Sequence, residues 1–253
     1  MLLWILLIGI LFFLSAVFYK QTVQEYKLNQ IEWTQIGSIG ELIDEGTPFI
    51  IRNTPQSPVW NMTDIRSRNT FKELADWAAH VKTDAIMPWH SHMASHYASL
   101  ANMDPWIDET WIQHIPFQRR LIPRELQLWA GGRGLYQERA AWVAVMPTEG
   151  SIIATVMTTK EDKYLPSNWR GRFADSFTQA DTPYVSQIKY LDIKLRAGTV
   201  LFLPAHWKLS WQTASEEELP FVCIMHLHTP ISKLASLIPM SAASAASASA
   251  ASA

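Results

Sequence analysis

The sequence predicts a mainly β fold, a barrel or sandwich with helices flanking it at one end, preceded by an N-terminal transmembrane helix. Three observations predict it. Residues 2–19, "LLWILLIGILFFLSAVFY", carry no charge. Helical signals sit early in the chain, whereas from Pro123 onward short apolar runs broken by Gly and Pro dominate, the pattern of a two-layer β fold. The stretch "LRAGTVLFLPAHWKLSWQT", residues 195–213, sets a glycine turn, an apolar strand, a proline, an aromatic turn and a second strand in succession, which is a strong strand-and-turn signal.

Length and composition bound the answer. A chain of 253 residues holds one domain of about 200 residues plus appendages. Hydrophobic residues make up 48% and 12 residues are Trp, so a sizeable core can be buried. The formal charge is −2 with scattered basic residues, which excludes a nucleic-acid binder built on a basic stripe. Cys223 is the single cysteine; it rules out an internal disulfide framework and a Cys-rich zinc site.

An uncharged run of this length spans a bilayer core as one helix. No basic residue precedes it, and Leu14-Ser15-Ala16 is a poor cleavage signal, so the run reads as an uncleaved anchor rather than a leader. Lys20 and Lys27 follow the run while no Lys or Arg precedes it, which places the body on the cytoplasmic side of a single-pass membrane protein. The expected layout is an anchor at residues 1–20, a juxtamembrane helical linker at 21–30, a folded domain at 31–239 and a Ser/Ala tail at 240–253. Asn61-Met62-Thr63 is a glycosylation sequon by pattern, silent in that compartment.

Within the body, residues 31–46 read as a short strand and a helix around 39–44, and residues 47–53 as a strand bounded by Pro48 and Pro55. Residues 71–80 place Phe71, Leu74, Ala75 and Ala78 on one helical face. Strands are expected at 125–130, 141–146, 152–158, 184–188, 190–195, 200–203, 209–212 and 221–227.

Three segments then resemble a known family, the JmjC-type or cupin-like domain of the Fe(II)/2-oxoglutarate oxygenases, in the layout of its asparaginyl-hydroxylase-like members. "GTPFIIRNTPQSPVWNMTDI" is similar to the opening strand, Trp and helix of that family. "LWAGGRGLYQERAAWVAVMPTEGSIIATVMTTKEDKYLP" resembles the strands carrying its first metal motif, and "YLDIKLRAGTVLFLPAHWKLSWQT" with "PFVCIMHLH" resembles the end of its barrel. The resemblance implies a double-stranded β-helix, or jelly roll. It also implies an iron site of a His-x-Asp/Glu pair and a distal His, leaving positions open for cosubstrate and dioxygen.

This sequence departs from that pattern at each position. The triplet matching the first motif is Tyr136-Gln137-Glu138, so Tyr136 stands for the histidine and Glu138 alone retains a ligand's chemistry. The distal histidine falls on Leu209, and the basic residue expected to hold the cosubstrate falls on Ile152. The expectation is therefore a degenerate barrel with no catalytic residue, no metal and no cofactor. The alternative is a working Fe(II)- and 2-oxoglutarate-dependent hydroxylase with an atypical ligand set, Glu138 with His206 or His226.

Other clusters compete for attention. His90, His92 and His96 form the densest histidine group, and His92 and His96 share a face if the segment is helical, a workable metal spacing. The favoured reading of the group is nevertheless a polar, aromatic surface segment or a partner-contact loop, since no third ligand or His-Glu-x-x-His pattern accompanies it. His226 and His228 alternate around Leu227 and face the same way on a strand. The tryptophans exceed what one barrel needs; Trp89, Trp106 and Trp111 are expected as contacts for other proteins. Residues 241–253 contain only Ser and Ala, which build no core of their own. Together these features predict a bilayer-anchored, inactive scaffolding domain in a larger assembly, such as the internal membrane and capsid region of a virion.

Overall fold

In a computed structural model the described residues are 4, 8–14, 25–55, 72, 91–115, 124–215 and 219–237. Residues 25–28 are coil and a strand begins at Asn29, so the expected linker helix does not extend through residue 30. The reason lies in pairing: the Asn29 N–H donates to Pro48 O at 3.0 Å, which starts a ladder instead of a helical turn. That strand, β1 (Asn29–Glu32), leads through a 3-10 turn (Trp33–Ser38) into α1 (Ile39–Glu45). Gly46 closes α1 in the left-handed region at φ 66, where a side chain is disfavoured. The chain returns as β2 (Phe49–Arg52), parallel to β1.

Two further helices, α2 (Ser91–Leu100) and α3 (Met103–Thr110), precede eight strands. These are β3 (Arg124–Ala130), β4 (Arg133–Gln137), β5 (Trp142–Glu149), β6 (Ser151–Met157), β7 (Leu191–Arg196), β8 (Thr199–Pro204), β9 (Lys208–Thr213) and β10 (Phe221–Leu227). A last helix, α4 (Pro230–Leu237), follows. The large sheet runs β1-β2-β8-β5-β10-β3 and the small sheet β4-β9-β6-β7. The strands thus divide between two sheets, antiparallel except for the β1–β2 pair, giving a mainly β, two-sheet fold with added helices.

The large sheet is apolar on both faces because both are covered. On its outer face Phe49 stacks on Phe202 at 4.8 Å, and Trp111 meets Phe202 at 5.8 Å. Its inner face meets Ile152, Ala154, Val156, Leu209 and Trp211 of the small sheet in the same core. Each such side chain, once buried, contributes about 1.5–3 kcal/mol. The outer face of the small sheet has its own cover, residues 158–190, which bury Leu135, Met157, Ala174 and Phe177 as a second cluster. Arg172 pairs with Asp181 at 2.6 Å inside that cover. The strand expected at 184–188 is instead a 3-10 turn (Val185–Gln187). Its amides bond back three residues, Gln187 N–H to Tyr184 O at 2.8 Å, so no ladder forms.

Gly134 shows how closely the cover lies on β4. A Cβ there would stand 2.1 Å from Gly171 O, a backbone atom that cannot swing away. Only glycine allows the cover to approach β4 this closely.

Among the described residues no helix is long and apolar enough to cross a membrane. Residues 8–14 are helical, while most of residues 2–19 lie outside the described residues. The helix expected at 71–80 also lies outside them except for Lys72, as do Asn61-Met62-Thr63 and the Ser/Ala tail.

Candidate functional site

The barrel interior is set by an irregularity in β4. Arg133 pairs with Trp211 and Tyr136 with Leu209, so three residues of β4 span two of β9. One extra residue makes a bulge, which re-aims side chains that a regular period of two would send to opposite faces. Arg133 and Tyr136 therefore both meet the inward residues of β9, while Leu135 between them packs into the outer cluster.

Arg133 is 6% exposed and lies among three rings. Its guanidinium carbon is 5.4 Å from the Trp129 ring centre, 5.2 Å from that of Tyr136 and 5.3 Å from that of Trp211. A cation over desolvated aromatic faces is favourable, by about 2 kcal/mol or more in the best cases. The fork is also paired: Arg133 Nη1 donates to Glu138 Oε1 at 2.6 Å. The other carboxylate oxygen of Glu138 meets His226 Nε2 at 3.1 Å. Glu138 is 3% exposed and His226 8%. The backbone fixes Glu138 too, since its N–H donates to Trp207 O and its carbonyl accepts from the His206 N–H, both at 2.8 Å.

The electrostatics follow from this geometry. Burial opposes ionisation of Glu138, but the Arg133 charge and the bonds from His226 and Arg133 outweigh it, lowering its pKa to about 2. Glu138 is thus held as a carboxylate. His228, just past β10, is buried, and burial first, then Lys233 and His226, push its pKa down. The Cys223 thiol is pushed up by burial, chiefly, and is inert.

These residues do not fit the iron that the resemblance in the sequence implies. A divalent cation needs lone pairs converging on an open position. Both oxygens of Glu138 already serve Arg133 and His226. Tyr136 is 44% exposed and lays its ring against Arg133. Leu209 and Ile152 are fully buried in the apolar core, offering neither a ligand nor a charge for a cosubstrate carboxylate. His206 is held by its backbone in the left-handed region at φ 70, on the turn beside Glu138. Among the described residues no group of three or more His, Cys, Asp or Glu is placed to hold a metal ion.

The other expected sites fare differently. His96 lies on α2 with His92, as the helical reading requires, whereas His90 falls outside the described residues. Trp111 is 0% exposed and belongs to the core against Trp33 and Phe202, which corrects its assignment as a surface contact. Its large apolar area is spent joining α3 to the large sheet. Trp106 is partly buried against the core, and Trp89 lies outside the described residues. Sequence reasoning missed Arg133. The available signal was a cation in "GGRGLYQE", five residues before the one surviving acid of the motif.

No family model and no curated protein sequence matches the chain. Among solved structures it aligns with the cupin domain of Drosophila melanogaster CENP-C at 9% identity and a TM-score of 0.25, covering 43% of this chain and 61% of that one. It aligns with hydroquinone 1,2-dioxygenase from Sphingomonas sp. TTNP3, solved with 4-hydroxybenzoate bound, at 13% identity and a TM-score of 0.29, covering 43% and 61%. The chain therefore spans about three fifths of the length of each.

Proposed function

We propose that this chain is a membrane-anchored, catalytically inactive cupin-like domain that serves as a structural or scaffolding module in a larger assembly. The observation that carries the reading is the commitment of Glu138 to Arg133 and His226. It leaves the barrel a charged cross-link between β4 and β10 where the oxygenases need an open coordination site. Apolar side chains at Leu209 and Ile152 complete the loss.

The anchor is supported by the uncharged run at residues 2–19 and by the strongly exposed Ile8, Leu11 and Phe13 on a helical segment. An apolar helix of that kind needs a bilayer or a protein to cover it. Further along the chain, Tyr26 donates to Lys189 O at 2.6 Å and packs edge-on against Trp207 at 5.7 Å. Tyr26 is thereby fixed to the end of the barrel near Glu138.

The test is turnover. Full-length protein in uncharged detergent, supplied with Fe(II), 2-oxoglutarate and ascorbate, is expected to release no succinate above a protein-free control. Succinate production that stops on Glu138→Gln substitution would instead establish the hydroxylase reading.

A further inference from the structure

Some of the described cations are held in ion pairs. Lys27 pairs with Glu45, Arg124 with Asp104 and Asp108, and Arg172 with Asp181. Three other described cations gather at one place. A groove of about 890 Å³ opens between the end of β2 and the β7–β8 hairpin, lined by Arg52, Asn53, Lys194, Arg196, Gly198 and Thr199 among others, with no acidic residue in its lining. Among the described residues no carboxylate pairs with Arg52, Lys194 or Arg196. Glu32 stands opposite Arg52 in the β1–β2 ladder, yet its carboxylate accepts from Asn53 at 2.7 Å instead. Three cations gathered around one concavity, in a chain whose formal charge is −2, make a local positive field that a bound anion would relieve.

The backbone says what shape that anion has. β7 is an edge strand of the small sheet, and its unpaired side offers main-chain donors and acceptors for strand addition. Lys194 and Arg196 are exposed on it while Ile193 and Leu195 are buried. Residues two apart on a strand lie about 6.6–6.8 Å apart on one face, the same interval as alternate side chains of an extended peptide. A lysine on an edge strand normally repels a second edge; a strand carrying Asp or Glu at alternate positions is the partner it does not repel. The groove lies at one end of the β1–β2 pair, since both strands run parallel from Asn29 and Phe49 to Glu32 and Arg52 at the groove.

We propose that this groove is the docking site for an extended acidic segment of a partner protein, added along β7 with its carboxylates on Lys194, Arg196 and Arg52. The proposal deepens the interaction reading, but the groove is outside the barrel, so neither iron content nor succinate release decides it. The test is fluorescence anisotropy of full-length protein in uncharged detergent, with a labelled eight-residue peptide carrying Glu at alternate positions. Saturable binding is expected, weakening as salt rises. The R52Q/K194Q/R196Q variant is expected to keep the wild-type circular dichroism and lose about tenfold or more in affinity. The proposal is overturned by no saturable binding to wild type, by equal binding to the triple variant, or by equal binding of the peptide with Lys in place of Glu. Stronger competition by inositol trisphosphate or by a single-stranded oligonucleotide than by unlabelled peptide also overturns it, in favour of a phosphate ligand.

Discussion

Replacing Arg133 with methionine is expected to destabilise the fold by about 3–5 kcal/mol, the cost of leaving a buried charge without its partner. The substitution keeps most of the side-chain volume among Trp129, Tyr136 and Trp211, so the loss reports charge rather than a cavity. Glu138, 3% exposed, would retain only His226. Urea denaturation of the full-length protein, followed by tryptophan fluorescence, measures the effect. The double variant R133M/E138Q removes the stranded carboxylate as well and is expected to recover a substantial part of the loss, because replacing both members of a buried pair is far cheaper than replacing one. A single variant as stable as wild type would mean that the carboxylate is compensated by another group.

The second large effect is in acid. Glu138 titrates at about 2 in the folded protein against 4.5 for an unperturbed carboxyl. A carboxyl with a depressed folded pKa stabilises fully above its unfolded pKa and loses that contribution as pH falls through the folded value. Stability owed to Glu138 is therefore present above about pH 4.5 and declines towards pH 2, by roughly 3 kcal/mol in all. Asp181, whose pKa is lowered chiefly by its bond from Arg172, declines in the same direction. The Glu138 contribution is isolated by subtracting the profile of E138Q measured under identical conditions. A difference curve that is flat from pH 5 to pH 2 contradicts the ion-pair account.

Much of the fold was legible in the chain because its strands are punctuated. Gly198, in the left-handed region at φ 83, and Pro204 bracket β8, and alternating or continuous apolar runs mark β5, β6, β9 and β10. β4 was hidden from pattern reading by its own irregularity. "RGLYQ" has a glycine, two polar residues and a bulge, so its period is broken where it matters most. Trp111 illustrates a different limit. Composition counts tryptophans but cannot say that one of them joins α3 to Phe202 across the outer face of the large sheet.

The site was half legible. Tyr136, Leu209 and Ile152 could be read as departures from a metal-binding pattern, and the structure places the last two in the apolar core. What stands at the centre was invisible to that search, because it looked for lone pairs and a guanidinium has none to give. Arg133 and Glu138 are five residues apart on one segment, whereas His226 joins them from 88 residues away. Such a convergence depends on the sheet order rather than on any local spacing.

The claim at the centre of this account is that an arginine, not a metal ion, neutralises Glu138 inside the barrel. Equilibrium dialysis of full-length protein against Fe(II) under anaerobic conditions, and against Co(II) with its visible absorption as a second readout, tests it most directly. The account predicts no stoichiometric metal retained in the wild type and no change on E138Q substitution. One equivalent of tightly held Fe(II) or Co(II), lost in E138Q, would contradict it.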